Sequence, residues 1–205
     1  MALCSIFGID RHRIATDGVG VTTLVLLHKC PLKCKYCINP QCQTSVNNYP
    51  YYEPEDLYDI VKIDNLYFAA TGGGVTFGGG EPAMQPDFIV GMRALCGRDW
   101  KLYIETSLNV PEENVNKLLP IIDHWYIDVK DMNSDIYYSY TGITNERVLR
   151  NLKFLADAKT QPKVTIRLPL IPDFNSEIDI LKSKHQLKQL GFDNFDIFQY
   201  IKPSL

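Results

Sequence analysis

Three cysteines, Cys30, Cys34 and Cys37, stand in the run Cys30-Pro31-Leu32-Lys33-Cys34-Lys35-Tyr36-Cys37, a C-x3-C-x2-C spacing. Clustered thiolates hold either zinc or an iron-sulfur cluster, and the number of ligands separates the two. A structural zinc closes its tetrahedron with a fourth ligand, usually from a second paired motif. The nearest fourth thiol is Cys42, so the alternative left open is C-x3-C-x2-C-x4-C as the zinc site of an interaction module. Three thiolates on a four-iron cubane leave one iron without a protein ligand, free to bind a small molecule directly.

Further along, Gly78-Gly79-Gly80-Glu81-Pro82 gives a backbone that a ligand can approach closely, because no side chain stands in the way. No Gly-Lys-Ser/Thr follows, which excludes a P-loop. In Trp125-Tyr126-Ile127-Asp128-Val129-Lys130 the period-two alternation puts Tyr126, Asp128 and Lys130 on one face. Glu105 in Ile104-Glu105-Thr106-Ser107 and Arg167 in Thr165-Ile166-Arg167-Leu168 repeat the pattern of a charge near a strand end. Both faces of a parallel sheet are usually covered, so these charges need a polar ligand or one another. A zwitterionic, cationic ligand is complementary, with the carboxylates toward the cation and Lys130 or Arg167 toward its carboxylate.

The elements that must position these groups are legible as alternating patterns. Strand-length apolar runs at 22–27, 75–77, 101–105, 125–129, 163–168 and 194–198 alternate with helical periodicities at 54–63, 85–95, 111–119, 146–158 and 178–190. Such alternation argues for repeated βα units around a parallel sheet. Six strands with helical returns predict a partial or six-fold barrel rather than a closed eight-fold one. Sites on parallel sheets gather at the carboxyl ends of strands, and the cysteine run follows the first of these strands directly.

Bulk properties narrow the function classes. The 205 residues are 45% apolar and 22% charged, which suits one domain spanning 1–205. A net charge of -3 with interspersed signs offers no basic stripe, so nucleic acid is not expected as a partner. The absence of a leader pattern or an 18-residue apolar run predicts a cytoplasmic protein with no membrane segment, and a monomer is expected. Six cysteines in a reducing compartment point to a metal site rather than disulfides. Cys4, Cys42 and Cys96 then read as small buried residues.

The cysteine run together with Gly79-Gly80-Glu81 resembles the signature of the radical S-adenosylmethionine superfamily. An ordered series of weaker motifs resembles its glycyl-radical-enzyme activating subgroup over nearly the whole chain. These are Thr16-Asp17-Gly18, Asn39 after the cysteines, Gly72-Gly73-Gly74-Val75-Thr76, Ile127-Asp128-Val129-Lys130 and Arg167-Leu168-Pro169-Leu170-Ile171-Pro172. The resemblance implies an α/β fold, a partial (βα)6 barrel shortened at the C-terminus. It also implies a [4Fe-4S] cluster on Cys30, Cys34 and Cys37. S-adenosyl-L-methionine would be held by Tyr36, Ile38, Gly79, Gly80, Glu81, Glu105, Thr106, Asp128, Val129, Lys130 and Arg167, with Tyr36 near the adenine and the G-G-E turn at the amino group.

The implied chemistry is one-electron reductive cleavage of the sulfonium to methionine and a 5'-deoxyadenosyl radical, in an anaerobic, oxygen-sensitive oxidoreductase. In this subgroup the radical takes hydrogen from a glycine of a partner glycyl radical enzyme. The alternative is a radical enzyme of the same fold acting on a small molecule or peptide, of the maturase or carboxy-deazaguanine synthase kind. No second set of cysteines is present, so an external flavodoxin or ferredoxin is the implied electron donor. The chain departs from the subgroup in Ile201, where a histidine usually stands. It departs again in Glu105-Thr106-Ser107-Leu108, which replaces D-T-N-G and leaves a monovalent cation seen there in some relatives without its usual site. The segment Gly18-Val19-Gly20-Val21-Thr22 also lacks the subgroup's proline and following arginine.

Overall fold

The computed structural model describes residues 2–44 and 48–201. Eight strands form one sheet: β1 (Cys4–Ile14), β2 (Val21–Leu27), β3 (Tyr51–Tyr52), β4 (Gly74–Gly79), β5 (Lys101–Thr106), β6 (His124–Asp128), β7 (Val164–Leu170) and β8 (Phe195–Gln199). Their order is β3-β1-β2-β4-β5-β6-β7-β8. The six strands from β2 and β4 to β8 run parallel and match the expected ones to within two residues. The ends of the sheet, β3 and β8, do not pair with each other, so the barrel is partial as expected.

Strands β1 and β3 are the correction. They add an antiparallel margin to β2 that the apolar pattern does not reveal. The second half of β1, Asp10-Arg11-His12-Arg13, is charged, and its pairing to β2 is interrupted by two register shifts. Its charges are satisfied locally. Arg11 forms a fork on the fully buried Asp64 carboxylate, which also takes hydrogen bonds from His12 (3.0 Å) and Thr23 Oγ1 (2.8 Å).

Among the described residues seven helices cover the sheet: α1 (Pro54–Val61), α2 (Asn65–Thr71), α3 (Pro86–Cys96), α4 (Glu112–Leu118), α5 (Ser134–Thr141), α6 (Glu146–Asp157) and α7 (Glu177–Gln189). Proline at the first position and a capping box between Glu53 and Asp56 start α1, and Ser176 with Asp179 does the same for α7. Two helices were not expected. After α1 a 3-10 turn at Lys62–Asp64 leads into α2, which ends on Gly72 in the left-handed region (φ +70°). In α5 the sequence Ser-Asp-Ile-Tyr-Tyr-Ser-Tyr-Thr has weak helix formers. It is held by the Asn133 side chain, which accepts from the N–H groups of Asp135 and Ile136.

Alternation along the strands sorts the two faces of the sheet. Val75, Phe77, Leu102, Ile104, Trp125, Ile127, Val164, Ile166 and Leu168 are all buried beneath the helices. Each is worth roughly 1.5–3 kcal/mol of apolar burial. The concave face carries Thr76, Tyr103, Glu105, Tyr126, Asp128 and Arg167 instead. Register brings Leu27 beside Gly79, Thr106 beside Ile127, and Asp128 beside Arg167, so the polar strand ends share one rim.

Candidate active site

The cysteine loop leaves β2 and is pinned from several directions. Backbone bonds run from Cys30 N–H to the Cys42 carbonyl (3.0 Å), from Lys33 to Thr141 (2.8 Å) and from Lys35 to Tyr140 (3.1 Å). Cys30, Cys34 and Cys37 are free thiols of intermediate exposure. Burial pushes the Cys34 thiol up to about 11 and raises Cys30 as well, so without a bound cation both groups keep their protons. Cys42 lies buried behind them, its thiol 3.9 Å from the Leu27 carbonyl, and Cys4 and Cys96 are buried too. Among the described residues no three His, Cys, Asp or Glu side chains converge on one ion position. Cys30, Cys34 and Cys37 stand as three partly exposed thiols on one loop, a donor set whose chemistry suits iron as well as zinc.

The G-G-E turn is laced to this loop. Gly80 N–H donates to Leu27 (2.9 Å), Glu81 N–H to Lys29 (2.8 Å), and the Asn39 amide donates to the Gly79 carbonyl (3.0 Å). Gly79 sits at φ +98°, and a Cβ on Gly80 would lie 2.2 Å from the Lys29 carbonyl oxygen, so the turn demands glycine at both positions. Glu81 is fully buried. One carboxylate oxygen accepts from Ala83 N–H (3.1 Å) and the Thr106 hydroxyl (2.6 Å), the other from Ser107 N–H (2.8 Å) and the Ser107 hydroxyl (2.6 Å). Burial pushes this carboxyl above the usual range against the pull of those donors. Glu81 and Thr106 thus spend their polar side-chain atoms on tying β4 to β5, and a ligand here meets the backbone of the turn.

Beside the turn, four charged side chains form one network across β5, β6 and β7. Arg167 donates from Nε to Asp128 Oδ1 (2.7 Å) and from a terminal nitrogen to Glu105 Oε1 (2.8 Å), while Lys130 Nζ lies 3.3 Å from Asp128 Oδ2. The Arg167 guanidinium also lies over the Tyr126 ring at 5.6 Å. Gly78 leaves room for Glu105, since a Cβ there would come within 2.9 Å of Oε2. Burial works to raise Asp128, but Lys130 and Arg167 outweigh it and hold the carboxyl below its ordinary value. Glu105 is pushed up by burial and by the nearby Asp128 and Asp17 carboxylates, despite its bond to Arg167. For Lys130, the attraction of Asp128 and then of Cys34 outweighs desolvation and keeps the ammonium firmly charged. Two acids and two bases balance, with Lys130 as the link to the thiols.

The other expected residues divide. Tyr36 donates to Asp173 (2.7 Å) and packs edge-on against Tyr140 and Phe174. Ile38 is exposed at 77%, on the outer lip of the loop. The Val129 side chain is sealed in the core and its N–H is given to the Arg167 carbonyl (3.0 Å), so it presents no side chain to the mouth. Ser107, Asn39 and Tyr200 were not among the expected residues, although each holds the site together. Tyr200 donates from its hydroxyl to the Tyr36 carbonyl (2.6 Å) and from its N–H to Leu170 (2.9 Å), tying the cysteine loop to the strand farthest along the chain. Asn39, two residues past the last cysteine, and Ser107, in the Glu105-Thr106-Ser107-Leu108 run, each stood in a motif; Tyr200 carried no signal.

The mouth so built brings three free thiols, a glycine turn and a balanced ionic network onto one rim. The pattern describing the Radical SAM superfamily matches residues 24–182. The chain is 25% identical to the isethionate sulfite-lyase activating enzyme of Desulfovibrio desulfuricans, over 95% of this chain and 82% of that protein. It is 28% identical to the choline trimethylamine-lyase activating enzyme of Oleidesulfovibrio alaskensis, over 86% and 75%. Among solved structures, Streptococcus suis SuiB bound to S-adenosylmethionine superposes with a TM-score of 0.65 at 17% identity, covering 86% of this chain and 39% of that one. The anSMEcpe structure with bound AdoMet gives 0.63 at 17%, covering 85% and 49%. These likenesses carry the fold, and with a family pattern that spans the cysteine loop, the G-G-E turn and the ionic network, the chain belongs to the Radical SAM superfamily of enzymes.

Proposed function

We propose that this chain activates a partner glycyl radical enzyme by placing a radical on one of its glycines. The observation that carries the proposal is the union at one rim of three half-buried thiols, a glycine turn laced to them, and the Glu105–Arg167–Asp128–Lys130 network. Support for the activating class comes from the curated relatives, several of which are named activating enzymes of lyases or a decarboxylase.

Cys30, Cys34 and Cys37 would hold a [4Fe-4S] cluster, and the mouth beside them would take S-adenosyl-L-methionine. When bound, these groups supply one-electron reductive cleavage to methionine and a 5'-deoxyadenosyl radical. Asn39 and Glu81 hold the loop and the turn in fixed relation, so that the thiols stay aligned with the ionic network. The network orients a zwitterion through charge already balanced and desolvated, which costs little reorganisation on binding. The apolar shell around it excludes water from a reactive species.

The test is anaerobic reconstitution followed by dithionite and S-adenosylmethionine. About four irons per chain and release of 5'-deoxyadenosine are expected, and both should disappear in Cys34→Ala. Deuterium from an α-labelled glycine of a glycyl radical enzyme encoded alongside it should appear in the 5'-deoxyadenosine. Label arriving only from a small molecule or peptide would assign the chain to the alternative class.

A further inference from the structure

One side of the rim carries cations that the fold does not neutralise. Lys29, Lys33 and Lys35 are exposed and interleave with the cysteines. Their loop rests on the C-terminal turn of α5 through the bonds to Tyr140 and Thr141, and the Lys33 Cβ would lie 3.6 Å from a Cβ placed on Gly142. From there the chain enters α6, whose first turns expose Arg147 and Arg150. Those arginines line a cleft of about 270 Å³ with Val110, Pro111, Glu112 and Asn151. The Asn109 amide donates to the Thr144 carbonyl (2.8 Å), fixing this segment against the loop after β5. Cleft and cysteine loop therefore belong to the same rim.

Among the described residues none of these five cations takes part in an ion pair; Lys182 and Lys188 on α7 are unpaired too, but these five gather on the cysteine loop and the segments that adjoin it. The carboxylates nearby are Glu112, Glu146 and Asp173, the last bonded to Tyr36. The start of α1, on the β3 side, collects Glu53, Glu55 and Asp56 instead. Stability does not account for the arrangement. Lys33 and Lys35 beside the end of α5 gain a little from its dipole, but Arg147 and Arg150 stand near the start of α6, where a cation is disfavoured. Unpaired charge on a chain of net charge -3 shapes encounter with an oppositely charged partner.

We propose that Lys29, Lys33, Lys35, Arg147 and Arg150 form the docking face for an acidic one-electron donor protein. This rests on the function proposed above, which needs one electron per turnover delivered to a cluster on Cys30, Cys34 and Cys37. Electron transfer weakens steeply with distance, so the donor must approach where the thiols are half-exposed; Lys29, Lys33 and Lys35 stand there, and Arg147 and Arg150 extend the charge along the adjoining segment. The donor loses one electron and the cluster gains it; no bond forms or breaks in this step.

The test uses the iron-loaded enzyme and an acidic flavodoxin as probe. Arg147→Glu/Arg150→Glu and Lys33→Glu/Lys35→Glu are compared with a charge-matched control on α7, Lys182→Glu/Lys188→Glu. Binding of oxidised flavodoxin is measured by surface plasmon resonance at low and physiological salt. Formation of 5'-deoxyadenosine is measured with photoreduced flavodoxin and, separately, with dithionite. Each rim variant should raise the flavodoxin Kd and KM roughly tenfold and flatten their salt dependence, with dithionite rates within about twofold of the parent. Unchanged Kd and KM in both rim variants would overturn the proposal, as would equal weakening by the α7 control. Rim variants that lower dithionite-driven activation of a protein substrate would assign the face to that substrate and overturn it too. If the parent forms no 5'-deoxyadenosine with dithionite, the catalytic proposal fails, while the Kd comparison still decides the docking face.

Discussion

Arg167 and Asp128 are register partners on adjacent strands, and the guanidinium Nε lies 2.7 Å from the carboxylate Oδ1. A second arm of the same guanidinium reaches Glu105 one strand further on. The cation therefore does more than pair with a neighbour: it holds two carboxylates together at one rim, where they would otherwise repel.

Removing that cation leaves Glu105 partly buried without a counter-charge and Asp128 with Lys130 alone. Arg167→Met should lower unfolding stability by about 3–5 kcal/mol, the range for breaking one partner of a buried ion pair. Urea denaturation checks the magnitude. In Arg167→Met/Asp128→Asn part of the loss should return, and the double-mutant cycle should give a coupling above about 0.5 kcal/mol.

Glu81 tests the claim that its carboxylate is a fastener. In Glu81→Gln an amide nitrogen must face either Thr106 and Ala83 or the two donors of Ser107, all of which donate. A loss of about 2 kcal/mol is expected, with donor set against donor in a buried site. Thermal unfolding measures it in protein without metal.

Asp64 sets a dependence on pH. The desolvation of Asp64 works to raise its carboxyl, but the Arg11, Thr23 and His12 hydrogen bonds and the Arg11 charge hold it below the ordinary carboxylate value. The folded pKa is depressed, so the stabilisation is complete above the unfolded carboxylate range and is lost as pH falls through the lower, folded value. Asp64→Asn should cost about 2 kcal/mol at neutral pH by loss of buried hydrogen bonds to a charged acceptor. The gap between parent and variant should narrow below pH ~4 in denaturant titrations.

The fourth thiol separates the cluster from a zinc site. Cys42→Ala should retain about four irons per reconstituted chain, and Cys30→Ala or Cys37→Ala should not. Metal analysis after anaerobic loading decides it; a full complement lost with Cys42 would favour the four-ligand site.

Much of the scaffold was legible because the parallel strands advertise themselves. Val75 and Phe77, or Ile104 beside Glu105, show the apolar and polar alternation of a sheet covered on one face and polar on the other. Strand β1 hid its nature because Arg11 and His12 find their counter-charge on Asp64, 53 and 52 positions away, where a local pattern cannot reach. The α5 helix hid for a related reason: Tyr137 and Tyr140 pack inward while Tyr138 stays exposed, and tertiary burial overrides their weak propensity. Within the site, the charges of Glu105, Asp128, Lys130 and Arg167 were visible as strand-end residues, but their mutual satisfaction depends on register. Glu81 was visible as part of a motif, and the direction of its carboxylate, inward to Ser107 rather than out to a ligand, was not.

The Tyr200 hydroxyl on the Tyr36 carbonyl joins residues 164 positions apart. Lys33 and Lys35 likewise depend on Thr141 and Tyr140. The cysteines come early in the chain, yet their loop gains its full set of contacts only after the segments around residues 140 and 200 have folded against it. Such long-range closure is entropically slow. On the proposed function, a cluster would meet a finished nest of thiols only late in folding, which would make metal loading a checkpoint on the completeness of the whole sheet.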